Sequence, residues 1–297
     1  MKLRFGLAAN RRHHERRDSA VFEWLLSSGS GIAQLGMEFV AVGRTCDAIQ
    51  SSCLFPDKAS LVRYPYGRDG GLMRLVSLVA GGTEHSEAVD GAIYFIDPVD
   101  ASSSFPEALA LKRQCVTHKK PFISTLAGAK EWIEIERMHA GMPPDAGTDS
   151  YFAYEDQTIA LIAHDAFKAD MVKYAHDHFE LLSRFRRRIA TGTTGERLNE
   201  LAWTKGWPID QEWVDPYLSG PLGGDAQIAE LVLDRRCKRV IFFEDPHVAR
   251  QHEADIQLLD RAVCTVGDSA VCANSLAMAT RWARALERRH ALVAGAL

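Results

Sequence analysis

The chain carries one pattern twice, and this repetition confines it to folds that can be built from two like units placed one after the other. In the second half, Thr191-Gly192-Thr193-Thr194, Ser219-Gly220-Pro221-Leu222-Gly223-Gly224-Asp225 and Phe243-Glu244-Asp245-Pro246 follow an apolar run ending in His164-Asp165, and His252 and Asp255 come shortly after. In the first half, Phe5 to Asn10, Val42-Gly43-Arg44-Thr45, Tyr66-Gly67-Arg68-Asp69-Gly70-Gly71-Leu72 and Phe95-Ile96-Asp97-Pro98 occur in the same order at nearly the same separations. An internal duplication is the expectation. It supplies a control inside the chain: glycines and apolar runs kept by both halves belong to the fold, whereas polar side chains found in the second half alone are the better candidates for function.

With 297 residues, 46% of them hydrophobic, the chain is long enough for two domains that each bury a core. The expected division is 1–138 for the first domain, 139–157 for a linker and 158–297 for the second. The linker contains Gly141, Pro143, Pro144 and Gly147 with several acids, and shows no clear periodicity. A net charge of −4 gives no reason to expect nucleic acid or an anionic membrane as a partner. The one basic cluster, Arg11 to Arg17, reads as a solvated helix start. Six cysteines, Cys46, Cys53, Cys115, Cys237, Cys264 and Cys272, lack paired C-x-x-C spacing and read as reduced core thiols. Polar residues interrupt Leu3 to Ala9 too early for a signal peptide, and no window approaches a membrane span, so a cytoplasmic protein is expected.

The apolar run Thr158 to Ala163, ending at polar His164 and Asp165, has the composition of a buried parallel strand. A helix through about Leu182 should follow, then a strand Arg188 to Ala190, a helix near Glu196 to Trp203, a helix from about Gly224 to Asp234 and a strand Arg239 to Phe243. A helix near Asp255, a strand Ala262 to Val266 and a helix from about Ser269 to Arg284 complete the half. The first half supports strands near Leu3 to Ala8, Phe39 to Val42, Ala92 to Ile96 and Phe122 to Thr125. Alternating strands and helices predict an α/β fold: two tandem three-layer α/β/α domains, each with a parallel sheet of about five strands. In such sheets the ligand crevice lies at the carboxyl ends of the strands.

Polar residues gather there. Thr191-Gly192-Thr193-Thr194 joins a strand to a helix, so first-turn N–H groups and three hydroxyls converge on a spot suited to a phosphate. Ser219-Gly220 and Gly223-Gly224 make a second glycine turn at another helix start, and Lys168 adds a cation four residues after His164. Plain N-capping and tight turning is the competing reading of either loop. Two such loops in one domain favour an anion site. Asp165, Asp225, Asp245 and Asp255 are expected near the same sheet edge with His164 and His252 among them, and carboxylates crowded together raise one another's pKa, which poises one as a base. Asp245 has its counterpart in Asp97 and reads as structural or orienting, whereas Asp225 is matched by Leu72, which takes no proton. The same comparison pairs His164 with Asn10, Asp165 with Arg11, Thr193 with Arg44, His252 with Ser104 and Asp255 with Glu107. The ionisable constellation is dismantled in the first half while the scaffold remains. His176 and His178, two apart on a predicted helix, face different sides and make no metal pair.

On these residues, the stretch from about Thr158 to Ala285 resembles bacterial methylglyoxal synthase: the strand ending His164-Asp165 with Lys168, the Thr191 to Thr194 turn, the Ser219 to Asp225 segment, and Phe243-Glu244-Asp245-Pro246 with His252 and Asp255. The resemblance implies a lyase that converts dihydroxyacetone phosphate to methylglyoxal and inorganic phosphate, with no metal and no organic cofactor. It implies that Asp225 is the base, that His252 shuttles protons at the substrate oxygens, and that His164, Lys168, Thr191, Gly192, Thr193, Thr194, Ser219 and Gly220 hold substrate and phosphate. Asp165, Asp245 and Asp255 complete the expected catalytic set. Inorganic phosphate is expected as product and inhibitor, and a homo-oligomer as the assembly. The fold also serves as a regulatory module in larger enzymes, so a non-catalytic module that binds a phosphate metabolite is the alternative. Asp225, His252 and Asp255 separate the two readings, because an effector site needs anion donors but no base.

Overall fold

Six residues in a row, Thr158–Ala163, are apolar but for the first, and a strand of that composition is stable only with both faces covered. In the computed structural model this strand is the centre of a sheet. The structure describes residues 2–55, 57–83, 88–247 and 253–293, without the side chains of 253–256. Two units divide the chain, 1–145 and 146–297.

In the first unit the elements run β1 (Arg4–Ala9), α1 (Ala20–Leu35), β2 (Glu38–Ala41), α2 (Gly43–Ser52), β3 (Leu61–Arg63), α3 (Gly71–Val79), β4 (Gly91–Phe95), α4 (Pro106–Thr117), β5 (Phe122–Ile123) and α5 (Leu126–His139). In the second they run β6 (Thr158–Ala163), α6 (Lys168–Asp177), α7 (Phe179–Ser183), β7 (Arg187–Ala190), α8 (Gly192–Thr204), β8 (Asp215–Pro216), α9 (Gly224–Leu233), β9 (Arg239–Phe243), α10 (Glu253–Thr265), β10 (Val271–Ala273) and α11 (Leu276–Val293). Each unit is an α/β layer structure on a five-stranded, wholly parallel sheet, ordered β3-β2-β1-β4-β5 in the first and β10-β9-β6-β7-β8 in the second. Read from β8, the second order repeats the first. The register repeats too: Leu7 pairs with Ala41 and Ile93, and Leu161 with Ala190 and Ile241.

Helices cover both faces of each sheet. Leu75, Leu78 and Val79 of α3 and Leu111 and Cys115 of α4 bury against one face of the first sheet, as Ile228, Val232, Leu259 and Val263 of α9 and α10 do in the second. Each such side chain removed from water contributes about 1.5–3 kcal/mol.

Four expectations need correction. Ala262 to Val266 is not a strand. Leu259, Ala262, Val263 and Val266 are buried at helical spacing, so the run belongs to the apolar stripe of α10, and the edge strand is β10 further on, followed by α11 from Leu276. The expected helix through Leu182 breaks into α6 and α7 at His178, whose ring is buried and bonded to Glu287 at 2.6 Å. The basic run precedes α1 instead of starting it: Arg11–His13 forms a single tight turn, its arginines exposed, and α1 begins at Ala20. Cys53 is exposed, unlike the buried Cys46, Cys115 and Cys237; no described cysteine is disulfide-bonded. In the stretch 139–157, His139 closes α5, while Ala146–Phe152 and Tyr154–Asp156 form tight turns in the second unit, with Tyr154 buried 5.1 Å from the Phe185 ring. No described helix is long and apolar enough to cross a membrane.

Candidate active site

The strand order reverses beside β6, and a cavity of about 290 Å³ opens there at the carboxyl ends of β6, β7 and β9. Three backbone devices shape it. Helix α8 begins at Gly192 after Thr191, with no side chain capping it, and Gly192 donates its N–H to Leu218 at 3.1 Å. That leaves the N–H groups of Thr193 and Thr194 in the first turn, where a helix favours an anion. The second device is the turn before α9, closed by Leu222 to Ser219, Gly223 to Gly220 and Gly224 to Ser219. Gly223 sits at φ +99°, and a Cβ at Gly224 would lie 1.8 Å from the Leu218 carbonyl oxygen, so both positions require glycine. The two loops touch: a Cβ on Gly192 would stand 2.9 Å from the Ser219 nitrogen.

The third device fixes a histidine. His164 follows β6 directly, and its Nδ1 accepts the Asp245 N–H at 2.7 Å. A backbone amide can only donate, so Nδ1 is the acceptor and the ring is neutral with its proton on Nε2. The Phe242 ring packs edge-on at 4.9 Å and holds it in place. His164 is therefore a donor oriented from behind, and Asp245 is the residue that orients it. The Asp245 carboxylate in turn accepts the His247 N–H at 2.8 Å.

Lys168, its side chain only 15% exposed, places Nζ 2.5 Å from Thr193 Oγ1 and 2.5 Å from Asp165 Oδ1. It thus stands beside the free first-turn amides of α8 as a fixed cation. Asp165 is 94% exposed, and its role in the structure is to pair with Lys168 at the mouth. It lines the cavity together with Asp225 and Asp245. Thr191 and Thr194 are buried; Thr193 faces solvent.

Asp225 is the second residue of α9, where the helix end suits a negative charge. Its carboxylate lies over Gly220: a Cβ there would meet Oδ2 at 2.9 Å. It lines the same cavity as His164, Lys168, Thr193 and Ser219. His252 lies outside the described residues, and Asp255 falls on α10 with its side chain outside them. Phe242 and Pro221 also line the cavity and were not anticipated. For Phe242 the signal was available: it sits next to the strand end that carries His164's neighbour. Among the described residues no His, Cys, Asp and Glu group could hold a metal ion.

The first unit repeats this backbone with other side chains. Asn10 Oδ1 accepts the Asp97 N–H at 2.9 Å, as His164 does from Asp245. Gly43 donates to Pro65, and Asp69, Gly70 and Gly71 close the turn on Tyr66 and Gly67. Leu72 then occupies the place of Asp225, and nothing lies over Gly67.

The chain is similar to the methylglyoxal synthase of Thermus thermophilus, 40% identical over 121 residues that make up 41% of this chain and 88% of that protein. It is 39% identical over 116 residues to the methylglyoxal synthase of Clostridium beijerinckii, which is 39% of this chain and 89% of the relative. With that of Burkholderia cenocepacia it shares 44% identity over 116 residues, 39% of this chain and 82% of the relative. Among solved structures, the methylglyoxal synthase of Elizabethkingia anophelis is 37% identical over 42% of this chain and 76% of its own, with a TM-score of 0.34. No protein-family model matches the chain.

Proposed function

Because the chain belongs to the methylglyoxal synthase family, we propose that its second unit is the lyase that converts dihydroxyacetone phosphate to methylglyoxal and inorganic phosphate, and that its first unit is a degenerate copy without that activity. The observation that carries this reading is Asp225: a carboxylate lying over Gly220 in the same cavity as the α8 anion cradle, at a position where the first unit has Leu72.

The phosphate of the substrate sits on the Thr193 and Thr194 amides, with Lys168, Ser219 and Gly220 around it. Asp225 takes a proton from the hydroxymethyl carbon, and the electron pair left behind moves to the carbonyl oxygen as an enediolate. His164, a neutral donor at Nε2, is aimed into the cavity and stabilises that oxygen without giving up its proton. The carbon–oxygen bond to phosphate then breaks. Its electron pair leaves with the phosphate, which takes up a proton to become inorganic phosphate, the hydroxyl proton is lost as the aldehyde forms, and the remaining enolate takes up a proton on its terminal carbon to become methylglyoxal. Lys168 and the helix amides stabilise the leaving dianion. By family resemblance His252 shuttles protons between the oxygens and Asp255 and Asp165 assist. No step requires a metal or cofactor.

The product phosphate fits the same cradle and is expected to inhibit. The test is direct: purified chain and dihydroxyacetone phosphate in a chelator-containing buffer, with methylglyoxal and phosphate measured together. Equal molar yields of the two support the lyase; phosphate release without methylglyoxal contradicts it. Substrate binding with no turnover would favour the non-catalytic module.

A further inference from the structure

The first unit has a larger cavity at the matching sheet edge, about 730 Å³, well within the range of metabolite sites. Matching the two histidine and asparagine hinges residue by residue places His14 where Lys168 stands and Arg44 where Thr193 stands. In the second unit that pair is a donor and a hydroxyl, joined at 2.5 Å. In the first it is an imidazole and a guanidinium. His14 Nδ1 is buried and has no hydrogen-bond partner among the described residues, and burial and then Arg44 push its pKa down. No described acid pairs with the Arg44 guanidinium.

Helix α2 starts at Gly43 with no side-chain cap, so the Arg44 and Thr45 amides open onto the same spot. Arg11 and Arg68 stand at the rim, the first tied to Glu15 and the second lying over Tyr66. Asp100, Glu107 and Tyr94 line the same cavity, with the Tyr94 hydroxyl accepting from Asn10 Nδ2 and Asp100 accepting from Ser102. Burial pushes Tyr94 up to about 12, so it keeps its proton as a donor, while the two carboxylates accept. The lining thus offers a dianion the α2 amides and Arg44, and offers hydroxyl groups two carboxylates and Tyr94.

We propose that the first unit binds a sugar phosphate, its phosphate held by the α2 amides with Arg44 and His14 and its hydroxyls by Asp100, Glu107 and Tyr94. Leu72 faces this site at the place where the second unit has Asp225. The site stands apart from the lyase reading and survives that reading's failure.

The test is calorimetric titration of the full-length protein with ribose 5-phosphate and, separately, inorganic phosphate. Ribose 5-phosphate is expected to bind, to bind at least tenfold more weakly to Arg44→Glu, and to bind equally well to Thr193→Arg. Arg44 is exposed, so the variant should fold, with circular dichroism as the control and Arg68→Gln as a milder second variant that weakens binding less. Methylglyoxal production by Arg44→Glu should equal wild type. Absence of ribose 5-phosphate binding, or binding lost in Thr193→Arg and kept in Arg44→Glu, overturns the proposal. Phosphate binding to the first unit as tightly as ribose 5-phosphate overturns the hydroxyl contacts. If no form makes methylglyoxal while the Arg44 effect holds, the lyase reading fails and this one stands.

Discussion

The two units put different side chains on the same backbone. The strand order, the register about Leu7 and Leu161, the amide bond to Asn10 or His164 and the three bonds of the glycine turn all recur. What changes is the set of atoms aimed at the crevice: Asp225 becomes Leu72, Lys168 becomes His14 and Thr193 becomes Arg44. The comparison teaches that the scaffold and the chemistry are separable. Residues needed to hold the turn survive in both units, and the side chains to which we assign proton transfer and phosphate binding survive in one.

Exchanging side chains between the units sharpens this. Thr193→Arg imports the residue of the first unit and breaks the Lys168 contact, so kcat/KM for dihydroxyacetone phosphate should fall roughly tenfold to a hundredfold, the worth of one or two charge-assisted hydrogen bonds. Steady-state kinetics read it, and a loss below threefold would show that the cradle does not hold the substrate.

A pair of identical substitutions comes next. Gly220→Ala puts a methyl 2.9 Å from Asp225 Oδ2 and displaces the carboxylate, which should lower kcat about tenfold. Gly67→Ala meets nothing within 4 Å and should leave turnover unchanged. If both are silent, Asp225 does not work from the position described.

The smallest effects concern stability. His164→Leu leaves the Asp245 N–H without its acceptor and should cost about 1–3 kcal/mol, whereas His164→Asn copies the first unit's solution with Asn10 and should cost about 1 kcal/mol or less. Urea denaturation of both variants measures the difference. Equal losses would mean that the Asp245 bond carries no stability.

Much of this was legible in the sequence, for a physical reason. Buried parallel strands are apolar runs, so Thr158–Ala163 and Arg239–Phe243 stood out, and helix starts at Gly192 and Gly224 were marked by glycines the turns require. The short edge strands β3 and β8 were not legible: two or three residues hold no periodicity, and Pro216 in β8 reads against a strand although an edge tolerates it. Ala262 to Val266 misled because a short apolar run has no period of its own until Leu259 is read with it. At the site, the grouping of His164, Lys168, Thr193, Ser219 and Asp225 followed from their places after strands. The structural or orienting reading of Asp245 came from its counterpart Asp97, whereas the exposure of Asp165 did not follow, because solvent access depends on how the turns close.

The central claim is that one carboxylate, present in the second unit and absent from the first, removes the carbon-bound proton. Its measurement is the turnover of dihydroxyacetone phosphate by wild type and by Asp225→Asn, with circular dichroism confirming that both fold. The amide keeps the shape of the side chain but accepts no proton, so kcat should fall by about a hundredfold to ten-thousandfold. An Asp225→Asn protein within a few fold of wild type would contradict the assignment.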